Sequence, residues 1–124
     1  MTDRHFIIIA ALNMIAAVGA GAFGAHGLKN MMSVDLLSIW QTGVLYHLVH
    51  ALGLFIIALL AAHYGNRLFI TAGMIMFVGI ILFSGSLYVL ALTGTRWLGA
   101  ITPIGGVAFI VACAMVAWAA WRSV

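Results

Sequence analysis

The stretch WQTGVLYHLVH, residues 40–50, holds the densest group of side chains able to do chemistry. His47 and His50 stand one helical turn apart, so their rings project from neighbouring positions on one face. Tyr46 precedes them. Two imidazoles at this spacing suit a metal ion or a haem iron. However, a zinc site takes three or four protein ligands. The only other histidine expected at that end is His26, and no Cys or carboxylate stands close in sequence. Further hydroxyls lie in FSGSLY, which supplies Ser84, Ser86 and Tyr88, and in TPIGG, which opens with Thr102. Asn13 and Gln41 add amides. There is no carboxylate pair, no nucleophile elbow and no Asp–His pairing within a span. No catalytic residue, metal-ligand set or cofactor is therefore assigned, and the chain is not read as an enzyme.

The elements that must carry these residues follow from composition. The chain has 124 residues, 66% hydrophobic and 6% charged. Soluble domains carry roughly 25% charged residues, so this surface is made for lipid. The charges punctuate the sequence and leave uncharged stretches at 6–25, 36–66, 68–95 and 97–121. Each is long enough for the ~20-residue helix that crosses a bilayer core. Continuous apolar runs such as LGLFIIALLAA lack the alternation of barrel strands. The expected fold is all-α, an integral membrane four-helix bundle forming a single domain over 1–124. Its helices are expected at about 5–26, 34–63, 67–93 and 98–122, the main body of the fourth starting near 103. The first span is longer than the ~7–15 apolar residues of a secretory signal and is read as retained.

Four spans place both termini on one side, with Arg4, Arg67 and Arg122 there and Lys29 and Arg96 opposite. The positive-inside rule then favours cytoplasmic termini. Trp40 and Trp97 are expected at the far interface, Trp118 and Trp121 at the near one. A net charge of +3 suits anionic headgroups and gives no reason to expect nucleic acid. Cys113 is single, which excludes an internal disulfide, and reads as a small buried apolar residue.

GAFGAHG, residues 21–27, closes the first span and follows no strand, so it is no phosphate loop. At 3.6 residues per turn Asn13, Ala17, Ala20, Gly24 and Gly27 form one narrow stripe. Gly105, Ala108 and Ala112, continued by Ala119, form a second. Small residues at this spacing let helix backbones approach in lipid. Ser33 is expected to cap the second helix. Thr102 is expected to cap the fourth, with Pro103 in its first turn, which would leave amide groups of Gly105 and Gly106 open inside the protein. At 1.5 Å per residue, His47 and Ser84 both lie roughly 12 Å below the far face. Tyr46, His47, His50, Ser84, Ser86, Tyr88 and Thr102 are therefore expected to meet, with His26 above them. At least one histidine should hydrogen-bond across helices. The sharper expectation is a polar cavity lined by Tyr46, His47, His50, Ser84, Tyr88 and Thr102, open to the far side, holding a small molecule, an ion or a lipid headgroup.

GAFGAHGL, WQTGVLYHLVHALGL, LFSGSLY and TPIGGVAF, in this order, resemble domain-of-unknown-function family 423, small four-helix membrane proteins that include vertebrate transmembrane protein 256. The resemblance covers nearly the whole chain. It marks Gly24, His26, Trp40, Gln41, Tyr46, His50, Ser84, Gly85, Tyr88, Pro103, Gly105 and Gly106 as matching positions. It implies an integral protein of the bacterial inner membrane, or alternatively the mitochondrial inner membrane, and assigns no reaction. The small-residue stripes favour a structural or accessory subunit that packs against itself or a larger membrane partner, with membrane lipids around it. An oligomeric transporter or binding protein using the polar half is the alternative, and a His-ligated metal or haem protein the second.

Overall fold

The computed structural model describes residues 3–123. Among them there are helices and turns and no strand. α1 (Asp3–His26), α2 (Val34–Tyr64) and α5 (Thr102–Arg122) are single helices. The third span, Arg67–Thr93, is built of α3 (Arg67–Ile80), a π-helical turn (Ile81–Gly85) and α4 (Ser86–Thr93). All four spans are long and apolar enough to cross a membrane. The 31 residues of α2 come to about 46 Å. That is longer than a hydrocarbon core, so its ends lie outside the core or the helix tilts.

Local chemistry sets the helix ends. Ser33 accepts a hydrogen bond from the Leu36 amide, as a cap should. Gly65 and Gly94 close α2 and α4 in left-handed conformation, φ +64° and +72°. Asn66 caps α3 through the Leu68 amide, and its own amide reaches Ala119 O at 3.4 Å and Ser123 Oγ at 2.8 Å. One residue thus ties the α2–α3 turn to the end of α5. Thr102 does not cap α5. A 3-10 turn over Arg96–Ala100 leads directly into that helix. The Ile104 and Gly105 amides both bond to Ile101 O. The donors expected to lie open there are used within the first turn.

α2 and the third span form the middle of the bundle. α1 packs chiefly on α2, α5 packs chiefly on α3, and α1 and α5 scarcely meet. The core at the terminal end gathers Phe6, Leu54, Ile57, Phe69 and Phe109. Small residues give them room: Phe6 lies on Gly73, and Phe109 on Gly79. In lipid this close packing is what holds helices together. Gly105 is the tightest approach to backbone, since a Cβ there would strike the backbone of Phe83. Of the stripe residues, Ala17, Gly24, Gly105 and Ala112 are buried, and Ala20 and Ala108 half-buried.

Two placements differ from the sequence reading. Trp40 is only 6% exposed. Its ring lies over Gly24, where a Cβ would stand 2.7 Å from it, and its Nε1 donates to Ala20 O at 2.9 Å. A slot in α1 and the second lone pair of the Ala20 carbonyl draw it inward, while Trp97, Trp118 and Trp121 stay exposed. Cys113, expected to be buried, is exposed on the outer side of α5.

Candidate functional site

The expected polar cluster is split in two by the helical phase of α2. The first part is a closed seam between α1, α2 and α4. His47 is buried there, with Nε2 3.1 Å from Asn13 Oδ1 and Nδ1 2.9 Å from Tyr88 OH. Asn13 Nδ2 donates to Ile9 O at 2.9 Å. That fixes every proton. The amide oxygen accepts, so His47 Nε2 carries the hydrogen. In the neutral ring Nδ1 is then the acceptor, and Tyr88 donates to it. The result is a one-way chain from Tyr88 through His47 and Asn13 to the Ile9 carbonyl. The Tyr88 ring also packs on Trp40, with centroids 4.6 Å apart. Gly43 provides the room, since a Cβ there would lie 3.0 Å from Tyr88.

Two further bonds extend the seam. Ser84, fully buried at 0% exposure, donates to Gly43 O at 2.8 Å. It reaches backbone rather than histidine because the π-helical turn shifts its phase. Ser86 donates to Phe83 O at 2.9 Å, so the Thr102 hydroxyl donates to Ser86 Oγ at 2.6 Å. Thr102 therefore ties α5 to α4. Among the described residues no buried side-chain nitrogen or oxygen lacks a partner. The seam's polar groups satisfy one another, so the expected cavity of Tyr46, His47, His50, Ser84, Tyr88 and Thr102 does not form as one site.

The second part is a groove of about 610 Å³ on the membrane-facing side, between α2, the π-helical turn and α5. Tyr46, His50, Phe83 and Phe109 form its wall, and Pro103, Gly106 and Cys113 run along α5. His50 and Phe109 stack with centroids 3.5 Å apart and planes 9° from parallel. Tyr46 packs on Phe83 at 4.4 Å. His50 Nδ1 lies 2.7 Å from Tyr46 O. A carbonyl only accepts, so Nδ1 carries the proton and Nε2 is left an acceptor.

His26 and Gln41 join neither part. Both are exposed at the far end of the bundle, beyond the reach of His47 and His50. Among the described residues no group of three His, Cys, Asp or Glu could hold a metal ion. The sequence reading missed Phe83 and Phe109, which are indistinguishable from lipid-facing apolar residues in the sequence. It also missed Asn66, whose signal was the Gly65–Asn66 pair between two spans. Asp35 and Arg96 pair at 2.6 Å across the far-side loops, both largely exposed.

Comparison with known proteins places this architecture. Residues 20–106 match the family described as "Protein of unknown function (DUF423)". The chain is 55% identical over 118 residues to UPF0382 membrane protein YwdK of Bacillus subtilis (strain 168), covering 94% of this chain and 96% of the relative. It is 51% identical over 108 residues to UPF0382 membrane protein SSP2132 of Staphylococcus saprophyticus, covering 87% and 89%. It is 47% identical over 119 residues to UPF0382 membrane protein SAB0533 of Staphylococcus aureus, covering 96% and 97%. No solved structure matches the chain. With four apolar spans and relatives of this kind over nearly its whole length, the chain is a small membrane protein and belongs to the DUF423 family, the UPF0382 membrane proteins.

Proposed function

We propose that this protein is a non-catalytic accessory subunit of the bacterial inner (cytoplasmic) membrane, with both termini in the cytoplasm, that packs against a second copy or a larger membrane partner. The observation that carries this reading is the closed seam. Its polar groups are engaged with one another, as in a structural network, and none is left for a reaction. The open architecture supports the second half. α1 and α5 scarcely meet, and each leaves a long apolar flank uncovered, including Ile8, Leu12 and Ile15 on α1. A transport path fits less well, because the buried polar side chains hold helices together and line no channel. Orientation rests on Arg4, Arg67 and Arg122 at the terminal side against Lys29 and Arg96 opposite.

Cross-linking in intact membranes, followed by native mass measurement in mild detergent, tests the assembly. A mass above that of one chain is expected. A single-chain mass in both measurements would overturn the accessory reading. Reporter fusions after residue 124 and within residues 29–33 test the orientation. The C-terminal fusion should be active only on the cytoplasmic side, and the opposite pattern would reverse it.

A further inference from the structure

The groove beside α5 carries a requirement that the seam does not. His50 Nε2 has no hydrogen-bond partner among the described residues, yet it is not among the enclosed unpartnered atoms, so it is open to the groove's surroundings. Nδ1 points back to the Tyr46 carbonyl, so Nε2, on the far edge of the ring, points away from the backbone of α2. The Tyr46 hydroxyl also has no hydrogen-bond partner among the described residues, and Tyr46 is exposed. Both residues are well within a span, where a polar atom facing hydrocarbon without a partner is costly. Nε2 can only accept, and the phenol can accept or donate. A group that satisfies His50 must therefore bring a donor.

Apart from the Tyr46 hydroxyl, a second copy of the chain presents no exposed donor on the lipid-facing parts of its spans. The exposed side chains are apolar from Ile7 to Val18 on α1, from Met74 to Val89 on the third span and from Ile104 to Val111 on α5. On α2 the same holds from Leu45 to Leu59 apart from Tyr46 itself. A molecule dissolved in the bilayer that carries a hydroxyl brings the donor directly. The groove's volume lies within the roughly 300–1,000 Å³ of small-molecule sites. Its wall is aromatic, and from Pro103 to Cys113 it runs about 15 Å along α5. No charged side chain lines it, so a charged headgroup would find no counter-ion. We propose that this groove binds a neutral membrane-soluble alcohol or phenol: an apolar body against Phe83, Phe109 and Gly106, with a hydroxyl that donates to His50 Nε2 and accepts from Tyr46 OH. A molecule offering only carbonyl oxygens satisfies Tyr46 and leaves His50 bare.

Cys113, the only cysteine, lines the same groove and is exposed, so it serves as a reporter. The full chain is placed in phosphatidylcholine nanodiscs, and the rate of Cys113 alkylation by N-ethylmaleimide is measured. Four probes are titrated: farnesol, 4-nonylphenol and the methyl ether of each. Both hydroxyl compounds should slow alkylation, and each ether, lacking the donor, should protect about tenfold more weakly. Stronger protection by nonylphenol than by farnesol assigns the site to ring-bearing ligands, and the reverse assigns it to chain alcohols. Tyr46→Phe keeps the ring and removes a donor that alcohol and ether oxygens both accept from, so it should weaken protection by both and leave the gap between them. His50→Leu should abolish it, and if that variant fails to fold, the ether controls and Tyr46→Phe still decide. Equal protection by alcohol and ether would overturn hydroxyl recognition. No protection by any probe would overturn the site. Neither result touches the accessory reading, which is tested by mass.

Discussion

His47 and His50 are three residues apart on one helix and have opposite surroundings. His47 lies in a seam where both of its ring nitrogens have a partner within the chain. His50 lies beside a lipid-facing groove, with one nitrogen tied to its own helix and the other unpaired. Three residues amount to a rotation of about 60° around the helix axis. That is enough to turn one ring towards α1 and α4 and the other towards α5. The contrast separates holding from binding. A polar group that holds a membrane bundle together has its partners within the chain, whereas one that recognises a ligand keeps a valence open.

Substitutions sharpen the contrast. The largest effect is expected from Gly105→Leu. The added side chain would meet the Phe83 backbone, which cannot move aside as a side chain can. A loss of about 3 kcal/mol or outright misfolding is expected, read as thermal unfolding in detergent, because this contact sets α5 against the π-helical turn. Gly24→Leu acts on the seam. It displaces Trp40 and its bond to Ala20, but a ring can shift, so about 1–3 kcal/mol is expected. An unchanged melting temperature would mean that the α1 stripe faces lipid. Tyr88→Phe removes the donor to His47 Nδ1 and leaves an enclosed acceptor unpaired, for about 1 kcal/mol or somewhat more. Tyr46→Phe should be the mildest, within about 0.5 kcal/mol, since its hydroxyl holds nothing in the bundle. A Tyr46 effect as large as that of Tyr88 would break the comparison.

The fold was legible because of how few charges the chain has. Arg67 and Arg96 bracket the third span, and Ser33 announces the start of α2. The small-residue stripe on α1 was legible too, as was a histidine bonding across helices. The division of the polar half was not. Spacing places His47 and His50 on neighbouring positions, and only the packed neighbours decide which lies inside. The π-helical turn adds a phase shift that no residue type signals, so Ser84 meets Gly43 O instead of a histidine. Trp40 was misplaced for a related reason. Tryptophan at a span end usually marks the interface, but Gly24 one helix away opens a slot for it. Thr102 had the right type for a cap and found a better partner in Ser86.

The central claim is that the two histidines do different work, and one measurement addresses it directly. His47→Leu and His50→Leu are unfolded side by side in the same nanodiscs. His47→Leu strands both the Tyr88 hydroxyl and the Asn13 carbonyl oxygen inside the bundle. His50→Leu releases only a backbone carbonyl of its own helix. The loss at position 47 should exceed that at position 50 by about 1–3 kcal/mol. Equal losses, or a larger one at position 50, would contradict the division of the polar half into a seam that holds and a groove that binds.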